Sequence, residues 1–80
     1  MAFVSHYRKM DETDETDETI SYAYGWEPDE LTEVLCLDKA TRRLVVADGI
    51  PTHSMTATAA GVLRRTLSTG SWPDHGYVAS

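Results

Sequence analysis

The sequence predicts an α+β fold: an antiparallel four-stranded β-meander followed by one α-helix packed on the sheet, in the order ββββα. Three observations carry that reading. Ile20, Tyr22, Tyr24 and Trp26 alternate with Ser21, Ala23 and Gly25 at the two-residue period of a strand. Two apolar runs, Val34 to Leu37 and Leu44 to Ala47, flank a short polar stretch that suits a hairpin loop. Met55, Ala59, Val62, Leu63 and Leu67 then recur at helical spacing and form one stripe.

The first strand is expected over Ala2 to Lys9, with Phe3, Ser5 and Tyr7 on one face and Val4, His6 and Arg8 on the other. An acidic loop over residues 10–19 separates it from the second strand, Ile20 to Trp26. Pro28 ends that strand, because proline lacks an amide donor and restricts the residue before it. Leu31 to Leu37 and Arg43 to Ala47 make the third and fourth strands. Their apolar runs are continuous, so both are expected to be central or buried on both faces. Between them lies Asp38-Lys39-Ala40-Thr41, where the Asp38 carboxylate can close the turn on backbone amides.

Pro51, Thr52 and Ser54 announce the helix, since either hydroxyl can cap its first amides. Arg64 and Arg65 are assigned to its last turn, where they complement the dipole, and Gly70 supplies a left-handed stop. Gly61 costs a helix about 1 kcal/mol relative to alanine, so close approach of another backbone is its expected reason. Residues 70–80 carry too much proline and glycine for a helix and are read as an irregular tail folded back through Trp72 and Tyr77. Residues 1–80 form a single small domain.

Charge is distributed unevenly. Asp-Glu-Thr repeats three times from Asp11 to Thr19 and contributes six of the 13 acids. The seven remaining acids match the seven Lys and Arg, so the net charge of −6 is local to the repeat. Overall acidity therefore does not argue for a cationic partner. Leu, Ile, Val and Phe make up 15 of 80 residues, a small core that makes a homodimer attractive. The single cysteine, Cys36, precludes an intrachain disulfide and lies in an apolar run as a buried thiol would. The chain shows no leader pattern and no apolar stretch of membrane-spanning length, so a cytoplasmic protein with no membrane association is expected.

The aromatic row is the sharpest candidate site. Tyr22, Tyr24 and Trp26, joined by Phe3 and Tyr7 if the first strand pairs alongside, are candidate partner-binding residues. Aligned aromatics can stack bases of a single-stranded nucleic acid or grip a partner's apolar groups. The simpler reading is that the row packs as core or dimer interface, since aromatics supply large buried areas. Against it stands the small face Ser21, Ala23, Gly25, which suits a helix that itself carries Ala57, Ala60 and Gly61. The second candidate is acidic docking by Asp11, Glu12, Asp14, Glu15, Asp17 and Glu18. Their three-residue spacing holds one face of neither a helix nor a strand, so a solvated loop is the simpler reading.

No catalytic, cofactor or metal residues are assigned. His6, Cys36, His53 and His75 lack short ligand spacings, and the repeat does not match a calcium-loop pattern. His53 beside Thr52 and Ser54 reads as part of a helix start rather than a triad. Basic pairs at Arg8-Lys9, Arg42-Arg43 and Arg64-Arg65 read as solvated surface charge, without a nucleic-acid-binding motif around them. The expectation is a non-enzymatic protein-interaction or regulatory module. The alternatives are a single-stranded nucleic-acid-binding module using the aromatic face and an acidic inhibitor of a nucleic-acid-binding protein.

Overall fold

The computed structural model describes residues 4–10, 16–46 and 49–79. Within them the chain forms β1 (Val4–Lys9), β2 (Thr19–Gly25), β3 (Glu33–Asp38), β4 (Arg43–Val45), α1 (His53–Thr69) and β5 (His75–Ala79). The sheet has five strands in the order β4-β3-β2-β1-β5, with every neighbouring pair antiparallel. The α+β class and the helix packed on an antiparallel sheet agree with the sequence. The fifth strand corrects it. Residues expected to form an irregular tail pair with β1 from Val4↔Ala79 to Arg8↔His75. That moves β1 from the edge of a meander to the interior of the sheet.

The pairing registers fix which side chains share a face. Tyr7 lies opposite Tyr24, Tyr22 opposite Leu35, Ile20 opposite Leu37, and Leu37 opposite Leu44. These residues turn toward α1, joined from β5 by Gly76 and Val78. Tyr7, Ile20, Tyr22, Tyr24, Leu35, Leu37, Ala59 and Val62 form the buried core, with Met55, Leu63, Leu44, Trp72 and Val78 packed around it. The aromatic face of β2, not its small face, therefore lies under the helix. Aromatic rings fill the space between two layers more completely than serine, alanine and glycine can.

α1 begins as its sequence implies: the Met55 amide donates to Thr52 Oγ1 at 3.1 Å, and the Thr56 amide reaches the Thr52 carbonyl at 3.0 Å. It ends at Gly70, whose φ of 81° is left-handed and whose amide reaches the Thr66 carbonyl. Because the helix runs to Thr69, Arg64 and Arg65 precede its last turn and are not a dipole cap. The apolar stripe also ends early. Leu67 is 66% exposed, while Thr66 beside it is buried with its hydroxyl returned to the Val62 carbonyl at 2.8 Å.

The β3–β4 turn forms as expected, with the Ala40 and Thr41 amides donating to Asp38 Oδ1 at 2.9 and 3.0 Å. The Thr41 contact, aided by that of Ala40 and opposed by partial desolvation, holds the Asp38 carboxyl below its ordinary range. The strands themselves are not buried on both faces. Val34 and Val45 are about half exposed, and β4 is an edge strand. In the first run exposed Val34 precedes buried Leu35 and Leu37, and in the second Leu44 packs on the core while Val45 and Val46 are exposed.

Candidate interaction surfaces

The structure divides the aromatic row. Tyr7, Tyr22 and Tyr24 are buried beneath α1. Tyr7 and Tyr22 meet edge-to-face with ring centroids 5.6 Å apart, and Tyr22 donates its hydroxyl to the Pro73 carbonyl at 2.7 Å. Burial pushes the Tyr7 phenol up, with the Arg65 charge pulling the other way. Burial likewise raises Tyr24, opposed by a hydrogen bond with the Thr52 side chain and reinforced by the Glu33 charge. None of the three presents a ring for stacking in this fold. Trp26 lies one residue beyond β2 and is 76% exposed, at the mouth of a cleft of about 270 Å³ beside the helix start. Glu33, Thr52 and Ser54 also line that cleft. Phe3 lies outside the described residues.

The acidic candidates divide too. Asp11, Glu12, Asp14 and Glu15 lie outside the described residues. Thr16 to Thr19 form a local turn: the Glu18 and Thr19 amides both donate to Thr16 Oγ1, at 3.1 and 2.9 Å. The Thr16 amide returns to the Thr19 carbonyl at 2.9 Å, and the Lys39 amide donates to the Glu18 carbonyl at 2.8 Å. The last triplet thus leads directly into β2 and ties it to the β3–β4 turn. Asp17 and Glu18 are exposed on that turn.

Away from the helix, the sheet has a second face on which no described strand or helix lies. The registers order it in rows. Val45, Cys36, Ser21 and Met10 make one row, and Val34, Ala23, Arg8 and His75 the next. Gly25, His6 and Tyr77 make a third, with His6 and Tyr77 ring centroids 6.2 Å apart. The β2–β3 loop folds over one end of this face, because a Cβ on Gly25 would stand 2.6 Å from the Glu30 carbonyl oxygen. Val4, Val34, Val45 and Tyr77 are exposed on this face, Tyr77 beside Pro28 and Leu31 of that loop, and the small residues Ser21 and Ala23 lie on its central strand. Cys36 is half-buried on this face rather than enclosed in the core.

The valines and Tyr77 did not enter the sequence-derived site. Val34 and Val45 were hidden in continuous apolar runs, and Tyr77 in a segment read as irregular. The available signal was the alternation of His75, Tyr77 and Ala79 with Gly76 and Val78, a short period-two stretch that includes the strand formers Tyr77 and Val78. A second feature also depends on β5. Arg64 and Arg65, exposed on α1, line an open groove of about 630 Å³ whose other wall is β5.

Among the described residues, no group of three His, Cys, Asp or Glu is placed to hold a metal ion. No helix among them is long and apolar enough to cross a membrane. Compared with protein-family models, curated proteins and solved structures, the chain matches none.

Proposed function

We propose that the chain is a small, non-enzymatic protein-interaction module that contacts its partner through the helix-free face of its sheet. The exposed apolar side chains of that face carry the reading. Val4, Val34, Val45 and Tyr77 stand exposed across strands β1, β3, β4 and β5, with the small residues Ser21 and Ala23 on β2 and the polar His6 and Arg8 on β1 in the rows between them. Apolar side chains held exposed on one face are a favourable place for association, because covering them releases about 25 cal/mol per Å². The nucleic-acid alternative is weaker in this fold, since its stacking residues Tyr22 and Tyr24 are core. A second copy of the chain is one candidate partner.

The test introduces charge on the face without touching the core. Val34→Lys combined with Val45→Lys alters two half-exposed positions and is expected to preserve the thermal transition. Wild type and variant are immobilised, and proteins captured from an extract of the source cells are cross-linked and quantified. Sedimentation of each form measures self-association in parallel. The reading expects a captured species or a dimer that falls at least about tenfold in the variant, the loss about 1.4 kcal/mol would produce. Equal capture and equal mass for both forms reject it.

A further inference from the structure

We infer that the outer edge of β5, with Arg64 and Arg65 above it, is a docking site for an extended acidic peptide that adds to the sheet as a sixth strand. The inference rests on the reading of the chain as a protein-interaction module and names a second surface and its ligand.

The two sheet edges differ in protection. β4 spans three residues and starts beside Arg42, whose φ of 58° turns the chain sharply. Short, charged, strongly turned edges resist pairing with other chains. β5 spans His75 to Ala79, pairs with β1 in unbroken register over five residues, and contains no proline, lysine or bulge. Among the described residues no strand pairs with its other side. Its outward amides and carbonyls are therefore a template for strand addition.

The walls of the groove select charge. Gly76 presents no side chain, and Tyr7 lies directly beneath it, with a hypothetical Cβ standing 2.5 Å from the Tyr7 hydroxyl oxygen. Gly61 brings α1 close over Val78. The next helical turn places Arg64 and Arg65 along the same groove, both exposed. No described carboxylate forms an ion pair with either. A strand added to β5 would place alternate side chains on the helix side, where carboxylates meet the two guanidinium groups. The intervening side chains would lie on the open face beside Tyr77, where small apolar groups fit.

Charge also decides against a second copy at this edge. Antiparallel pairing of β5 with its own symmetry mate uses a two-fold axis perpendicular to the sheet. Both helices then lie on one side, and Arg64 and Arg65 of each copy approach the same pair on the other. Four like charges in one groove oppose that dimer, whereas an acidic strand neutralises them.

The experiment uses the full chain and a ten-residue peptide alternating Glu and Val, followed by amide chemical shifts up to about 1 mM peptide, the weak end of specific binding. Expected are shifts at residues 75–79 and near Arg64 and Arg65. A peptide alternating Lys and Val, and a Glu-Val peptide N-methylated on alternate residues, are each expected to bind at least about tenfold more weakly. Arg64→Glu with Arg65→Glu should weaken the Glu-Val peptide by a similar factor, with Arg64→Gln and Arg65→Gln as the milder pair if charge reversal unfolds the helix. Absence of shifts at β5 overturns the proposal, as does equal binding of the Lys-Val or N-methylated peptide. Shifts at β5 that depend on protein concentration alone and accompany a doubled mass also overturn it, in favour of a second copy. If the peptide fails while Val34→Lys with Val45→Lys still abolishes partner capture, this proposal alone is lost.

Discussion

Ser5 and Thr58 share a proton economy that decides how the helix is pinned to β1. Thr58 Oγ1 lies 2.7 Å from Ser5 Oγ and 2.7 Å from the Ser54 carbonyl oxygen, and both hydroxyls are buried. A carbonyl can only accept, so Thr58 gives its single proton to Ser54 and Ser5 supplies the proton of the other bond. Thr58→Val removes the only partner of the Ser5 hydroxyl among the described residues and should cost about 1–3 kcal/mol, the penalty of a buried unsatisfied group. Ser5→Ala leaves Thr58 bonded to Ser54 and should cost about 0.5–1.5 kcal/mol. The double variant should cost less than the sum, because no orphan remains; additive urea-denaturation energies would rule out this coupling. The buried phenols give a pH prediction. Tyr7 and Tyr24 are raised above their ordinary value of 10.0 by burial. A raised phenol favours the folded state below that value and loses its contribution as pH climbs through the folded value. The urea midpoint should fall as pH rises past 10, and Tyr7→Phe with Tyr24→Phe should flatten that fall. A slope equal to wild type in the double variant would contradict it. That Tyr22 and Tyr24 share one face was visible in the alternation of β2, and that Tyr7 shares a face with Ser5 in that of β1. Which face the helix would choose was not, because both a small and an aromatic face offered a physical fit and only the assembled sheet decides between them.

Gly61 shows how one element depends on another far away in the chain. In an isolated helix Gly→Ala stabilises by about 1 kcal/mol. Here a Cβ at 61 would overlap Val78 Cγ2 and stand 3.2 Å from Val78 Cβ. Gly61→Ala should therefore destabilise, by the about 1–3 kcal/mol typical of overpacking. Combining it with Val78→Ala removes the overlapping methyl and should recover part of the loss relative to Val78→Ala alone. A higher melting temperature for Gly61→Ala alone would show that β5 yields to the added methyl. A close neighbour at Gly61 was legible in the sequence, since glycine amid alanines in a helix needs a reason, but it is the Val78 side chain and not the backbone that was expected. Its identity was not legible, because β5 forms through long-range fit: Gly61 against Val78, Gly76 against Tyr7, and Pro73 accepting from Tyr22 at 2.7 Å. Local propensity reports none of these. Proline and glycine in residues 70–76 read as punctuation, although they end α1 and seat the strand that follows.

For the whole molecule, the fifth strand decides whether the sheet closes around its core. A ββββα chain would leave β1 as an edge and the Tyr7 side of α1 uncovered. In the structure α1 leaves from β4 at one edge and the chain returns as β5 at the other, so the helix spans the sheet it covers. The returning segment brings Trp72 and Val78 to the core rim and joins Lys9 to Asp74 twice. The Lys9 amide donates to the Asp74 carbonyl at 2.7 Å, and Lys9 Nζ lies 3.3 Å from Asp74 Oδ1. That ion pair is open to solvent on its Asp74 side and contributes little by itself. A domain of about 60–80 residues buries too little surface to lose a strand, an indole and a valine together. Truncation after Gly70 should therefore abolish the cooperative thermal transition, even though all four strands and the helix expected from the sequence remain. Restoring residues 71–74 alone, with Trp72 and the acceptor at Pro73, should recover helical circular dichroism only in part. A truncated chain melting sharply within about 5 °C of the full one, a shift worth about 1 kcal/mol, would mean that the four-stranded meander is self-sufficient. β5 would then be an accessory strand on a complete domain, its exchange for an added peptide strand would become the simpler route to partner binding, and the edge on which Arg64 and Arg65 act would pass from β5 to β1.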